Sequence, residues 1–182
     1  MKRIYIEGEN NPGLRKAFTE LLKQELGRNM PKIVLGDGIS QTIDKFRKAP
    51  LEKDEERFLL VDSDEPLTDK ADLVRRVNEE KCNQKNCKVD ATIDNTFFMV
   101  QEVEAWILSQ PDVLRKIQIT KGLPLANIEC IKKPSEKLFQ VYEQNGKKYH
   151  KVREFPRVFG MLDSSKLRAF SSEYEALIEK LK

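Results

Sequence analysis

The chain has 182 residues, 35% of them charged and 39% hydrophobic, which supports one domain with a core of its own and fits a soluble globular protein. No run approaches the roughly 20 apolar residues of a membrane span, and Met1 to Glu7 carry no apolar signal core, so a cytoplasmic protein with no membrane contact is expected. A net charge of +3 does not by itself mark a nucleic-acid binder, and three cysteines, Cys82, Cys87 and Cys130, are an odd number that suits a reducing compartment better than a disulfide framework.

Read in order, Arg3 to Glu7 is a strand closed by Gly8, and the polar Gly8 to Gly13 is a loop. Leu14 to Leu26 carries an apolar face at helical spacing and stops at Gly27. A short strand, Lys32 to Leu35, turns through Gly36-Asp37-Gly38 into a helix from about Ser40, which Pro50 ends. Phe58-Leu59-Leu60-Val61-Asp62 is a third strand, a continuous apolar run of the kind buried on both faces of a parallel sheet. Thr68 is a candidate cap for a helix from Asp69 to Glu80, and the polar Lys81 to Asp94 is a loop. Thr96 to Val100 forms a fourth strand that passes directly into a helix from Gln101 to Leu108. The remainder is helical: Pro111 to Ile117, Ser135 to Tyr142 with Ser135 as its cap, Glu154 to Leu162, and Ser171 to Leu181. Strands alternating with helices predict an α/β fold, an open, mainly parallel four-stranded sheet of Rossmann-like type flanked by helices. Residues 1–182 then form one domain, with an α/β core over 1–110 and a mainly helical extension, 111–182, packed on it.

Acids stand at three strand ends. Glu7 closes the first strand, Asp62 and Asp64 close the third, and Glu102 and Glu104 follow the fourth. In a parallel sheet these ends share one edge, where open α/β sheets bind their ligands. In an extended chain Asp62 and Asp64, two residues apart, point to the same side. Like charges held together call for a cation, and hard oxygen donors select Mg²⁺ or Mn²⁺. The expected metal and catalytic set is Glu7, Asp62, Asp64 and one of Glu102 or Glu104, with Glu104 preferred because it lies at the first helical turn. The cluster Lys147-Lys148-Tyr149-His150-Lys151 offers Lys148, His150 and Lys151 as phosphate-binding residues. Cys82 and Cys87 lack two further ligands at useful spacing for zinc, and Trp106 reads as core.

A glutamate ending the first strand and an Asp-x-Asp ending the third is similar to the Toprim pattern of topoisomerases, bacterial primases and nucleases of the overcoming-lysogenization-defect type. A more specific match carries further. Ile4-Tyr5-Ile6-Glu7-Gly8, Leu59 to Pro66, Phe98 to Leu108, Ile131-Lys132-Lys133 and Tyr149-His150-Lys151 occur in an order that resembles the bacterial domain of unknown function 4276 family, a Toprim-like group. The sequence departs from that pattern at Asp64, where the family often has glutamate, and at Glu9 to Pro12, where the family's loop is richer in glycine. The resemblance implies a Toprim-like fold and Mg²⁺-dependent (or Mn²⁺-dependent) chemistry on nucleic acid, DNA or RNA, in phage-defence or mobile-element settings with an ATPase partner protein. The expected function is thus a metal-dependent phosphodiesterase or nuclease. The alternatives are a non-enzymatic adaptor or regulatory subunit of an ATPase, and a nucleotide-binding domain.

Overall fold

Four strands and the helices that cover them set the architecture of the computed structural model, which describes residues 1–49, 54–79, 90–124 and 126–182. The strands are β1 (Lys2–Glu7), β2 (Lys32–Gly36), β3 (Glu56–Asp62) and β4 (Thr96–Met99). They pair in the order β2-β1-β3-β4, and every pairing is parallel. The mainly parallel sheet expected from the sequence is therefore wholly parallel.

The strands read as apolar runs because both faces are covered. Ile4, Ile6, Phe58, Leu60, Phe97 and Met99 pack with helix α1 (Pro12–Leu26) and with helices of the C-terminal half. Tyr5, Leu59, Val61 and Phe98 pack on the opposite side with Ile43 and Phe46 of α2 (Ile39–Lys48) and Leu73, Val74 and Val77 of α3 (Lys70–Glu79). The alternation by one residue is that of an extended chain. Asp62 continues the Leu60 side of β3, the side that α1 covers.

The C-terminal half is α4 (Glu104–Leu108), α5 (Pro111–Lys116), a 3₁₀ turn over Ile128–Cys130, α6 (Pro134–Gln144), α7 (Lys151–Phe159), α8 (Ser164–Phe170) and α9 (Ser172–Leu181). Trp106 is a core residue, stacked on Phe159 with ring centroids 6.1 Å apart and edge-on to Tyr174 at 5.1 Å.

Local chemistry moves several boundaries from where the sequence pattern puts them. Helix α1 starts earlier, at Pro12, because the Asn11 side chain accepts from the Leu14 N–H (2.7 Å) and proline at the first position has no N–H to satisfy. Asp69, not Thr68, caps α3, accepting from the Ala71 and Asp72 N–H groups. Gln101 to Val103 are not helical; Gln101 has a left-handed φ of 65°, and α4 begins only at Glu104. Ser135 lies inside α6 and does not cap it; its N–H is taken by Glu102 Oε2 at 2.7 Å. Helix α7 begins at Lys151, within the basic cluster and ahead of the expected Glu154, and α8, capped by Asp163, is an additional helix. The loop expected over Lys81 to Asp94 lies mostly outside the described residues, with Cys82 and Cys87, as does Pro50. Cys130 is exposed. No helix among the described residues is long and apolar enough to cross a membrane.

Strand β4 is an edge strand, and α9 covers it. The buried Glu173 carboxylate accepts the outward Phe98 N–H at 3.1 Å and pairs with Lys70 Nζ at 3.0 Å, so the edge offers no free donor at that point. Replacing Glu173 by Ala leaves the Phe98 N–H and the Lys70 ammonium without their acceptor. We expect a loss of about 1–3 kcal/mol in urea unfolding, the cost of orphaning a buried donor.

Candidate carboxylate site at the sheet edge

Parallel pairing decides which side chains meet. Ile6 stands opposite Leu60, so β1 ends one residue short of the end of β3. Glu7 Oε2 accepts the Asp62 N–H at 3.1 Å. Asp62 stands opposite Met99 of β4, and its Oδ1 accepts the Val103 N–H at 2.9 Å. That bond ties the end of β3 to the residue just before α4. The next residue of the chain is Glu104, whose side chain is buried. Glu7, Asp62 and Glu104 thus reach one edge of the sheet, and each of the two strand-end acids is held by a backbone N–H or holds one.

The crossover between β4 and α4 is itself pinned. Ser63 N–H donates to Met99 O (3.2 Å), Gln101 N–H donates to Ser63 Oγ (2.8 Å), and Asp64 N–H donates to Gln101 O (2.9 Å). The Gln101 side chain donates on to Glu129 O at 3.2 Å. Ser63 and Gln101 are therefore positioning residues that the motif reading passed over. The visible signal for Gln101 was a polar residue directly between an apolar strand and an apolar helix.

Asp64 is placed differently from Asp62. The strand ends at Asp62, and Asp64 is exposed with a left-handed φ of 57°, so the same-side rule for residues two apart stops applying between them. Its charge still acts on Asp62, as the weakest of the neighbouring acids. Glu102 and Glu104, alternatives in the sequence, have separate tasks: Glu102 holds the start of α6, and Glu104 faces Lys151, whose Nζ lies 2.9 Å from its Oε1.

The basic cluster divides in the same way. Lys148 and His150 are exposed, and His150 precedes α7 without making a side-chain cap. Lys151 reaches the acids. Tyr149 anchors the approach: its ring packs on Tyr142 at 4.9 Å, and burial, then Glu104, push its phenol far above the ordinary value. Burial also lifts the Tyr142 phenol, to about 12.

A cleft of about 350 Å³ opens on this edge, with Glu7, Asp62 and Lys151 on its polar side and Leu14, Phe155 and Pro156 on its apolar side. Gly8 forms part of its wall. Its φ of 153° and a would-be Cβ 2.8 Å from Leu14 Cδ2 leave no room for a side chain.

Burial, the Glu7 charge and the Glu104 charge, in that order, push the Asp62 carboxyl well above its usual range, against the Val103 hydrogen bond. Burial opposes the charge on Lys151, but Glu104, Asp62 and Glu102 together outweigh it, so the ammonium titrates above its ordinary value. Among the described residues no three His, Cys, Asp or Glu side chains stand already arranged around one ion. The donor chemistry nevertheless fits a hard divalent cation: oxygen donors only, a buried Asp62 raised by like charges, and a buried Glu104 Oε1 that accepts no directed hydrogen bond. Glu7, Asp62 and Glu104 would be the holders.

Of the comparisons with known proteins, one gives a match: the family model described as "Domain of unknown function (DUF4276)" matches residues 11–182. No curated protein matches the chain, and no solved structure does.

The raised Asp62 carboxyl has a stability consequence with a definite sign. Its unfolded form ionises in the ordinary range and its folded form only at higher pH, so wild type loses stability as pH rises through that interval. Asp62→Asn removes the charge and keeps an oxygen for the Val103 N–H. We expect the variant to match wild type near pH 3, and to exceed it by about 0.5–2 kcal/mol at neutral pH, the usual gain from relieving a functional site. Denaturant unfolding of both proteins across pH measures the difference.

Proposed function

The chain belongs to the DUF4276 family, and on that premise we propose that it is a metal-dependent phosphodiesterase acting on nucleic acid. One observation carries the reading: three carboxylates and a lysine converge at the carboxyl edge of a parallel sheet, beside a cleft, and burial makes the charge on Glu104 and Asp62 costly. A protein without a ligand for such a cluster gains nothing from keeping it buried. The resemblance to Toprim proteins noted from the strand-end acids is in keeping with the reading.

A Mg²⁺ or Mn²⁺ ion, when bound, supplies Lewis acidity and an activated water to a phosphodiester. The rest belongs to the chain. Asp62 is oriented by the Val103 N–H, and Glu7 by the Asp62 N–H, so both present their carboxylates without searching rotamers. Glu7, Asp62 and Glu104 would hold the cation, and Glu7 would alternatively take a proton from water. Lys151 is the basic group that reaches the acids, and Lys148 and His150 offer further positive charge for the substrate backbone. Leu14, Phe155 and Pro156 exclude water from one side of the cleft.

One observation favours a different reading, an adaptor that docks on an ATPase and uses its acids only for charge: Lys151 already neutralises Glu104 within the chain. The two readings part in the test tube. Single-stranded DNA, duplex DNA and RNA are incubated with Mg²⁺ or Mn²⁺ and with wild type, Glu7→Gln or Asp62→Ala. We expect cleavage of at least one substrate by wild type, with losses of about 100-fold or more in both variants, the scale of removing a group that acts in the transition state. Equal activity in wild type and variants, or none anywhere, supports the adaptor.

A further inference from the structure

We propose that Lys151 is the built-in countercation of the carboxylate cluster: its ammonium holds Glu104 while the site is without a divalent cation, and it swings out to the substrate's phosphate when that cation enters. The inference rests on the metal-dependent reading above and adds to it a link between cation binding and substrate binding.

Four features of the pair argue for exchange over a fixed salt bridge. First, the partners differ in burial: the Glu104 side chain is 1% exposed and that of Lys151 66%. A buried carboxylate requires a positive partner, whereas the lysine stem, lying in solvent, gives up little packing when it moves. Second, the contact satisfies charge more than direction. Lys151 Nζ lies 2.9 Å from Glu104 Oε1, yet that oxygen accepts no directed hydrogen bond. Third, Lys151 is the first residue of α7, where the helix dipole disfavours a cation; the acids across the cleft hold it there. Fourth, the other nearby acid is committed elsewhere, since Glu102 Oε2 holds the Ser135 N–H. The acids that act on the ammonium are Glu104 first and, more weakly, Asp62 and Glu102.

A lysine suits this place. Its ammonium is a compact charge on a flexible stem and needs no planar partner. Two positive charges do not share one buried carboxylate at such range without strong repulsion, so Lys151 and a divalent ion compete for Glu104. Once displaced, the ammonium remains at the cleft that Asp62 and Glu7 line, facing whatever anion lies there. A residue that only bound phosphate would leave cation affinity untouched when removed. A competing lysine would not.

The test is Mn²⁺ binding, followed by calorimetry on the full chain in wild type, Lys151→Met, Lys151→Arg and Asp62→Asn. We expect Lys151→Met to bind Mn²⁺ about 10-fold more tightly than wild type, in the range of coupling between competing ligands. Lys151→Arg, which keeps the charge, should stay within about twofold of wild type by the same reasoning. With Ca²⁺ present, a single-stranded oligonucleotide should bind wild type more tightly than without it, by fluorescence anisotropy, and Lys151→Met should lose that increment. If wild type binds Mn²⁺ and Lys151→Met binds it equally or more weakly, the exchange is wrong while the metal reading stands. If wild type and Asp62→Asn both fail to bind Mn²⁺ at millimolar concentration, the metal reading falls and takes the exchange with it. Should Lys151→Met not fold, Lys151→Gln removes the same charge and is read by the same criteria.

Discussion

The register of β1 against β3, with Ile6 opposite Leu60, is the constraint on which the candidate site depends. Because all four strands run the same way, their carboxyl ends lie along one edge, and a shift of one residue would turn every side chain to the other face. The apolar alternation of Ile4, Ile6, Phe58 and Leu60 against Tyr5, Leu59 and Val61 prevents that shift, since both faces are packed. The same hydrophobic pattern that stabilises the sheet therefore sets Glu7 within hydrogen-bonding reach of the Asp62 N–H. Close approach of the surrounding helices follows the same economy. Gly36 at the end of β2 admits α2 so closely that a Cβ there would lie 2.6 Å from Thr42 backbone atoms.

The helical half closes the site as well as the core. Helix α1 and α7 wall the cleft through Leu14, Phe155 and Pro156, and α7 delivers Lys151 to the acids from its first turn. Glu102, from the crossover after β4, secures the start of α6, and Tyr149 follows α6 and packs back on it. The position of the lysine thus descends, step by step, from the segment that also positions Glu104. On the far side, Glu173 of α9 seals the β4 edge, so the sheet is open to a ligand at its carboxyl end and closed along that flank.

The parallel α/β architecture was legible because strands buried on both faces are written as unbroken apolar runs, and Leu59-Leu60-Val61 is such a run. Glu7 and Asp62 were legible as strand-end acids for the same reason. What the pattern could not supply was conformation after the strands end. Asp64 looked equivalent to Asp62 under a rule for extended chain, but the chain is no longer extended there. Glu104 was preferred to Glu102 for its place in the first turn of a predicted helix, but what separates them is local: Gln101 with its left-handed backbone delays that helix and sends the two side chains to different work. Lys151 was legible only as one of three phosphate candidates in a run of positive charge, and the start of α7 separates it from Lys148 and His150. Caps were misread where a neighbouring polar residue competes for the same N–H, as Asp69 does with Thr68.

Crowding three acids beside a cleft, with Glu104 buried, is costly, and a cation that relieves the cost is the centre of the account. Crystals grown with Mn²⁺ and measured at the manganese absorption edge address it directly. The account predicts an anomalous peak bonded to carboxylate oxygen of Asp62 and of Glu7 or Glu104, at roughly the 2.0–2.6 Å of hard-cation coordination, with the Lys151 ammonium moved off Glu104. A well-ordered edge with no peak, and Lys151 still on Glu104, would contradict it.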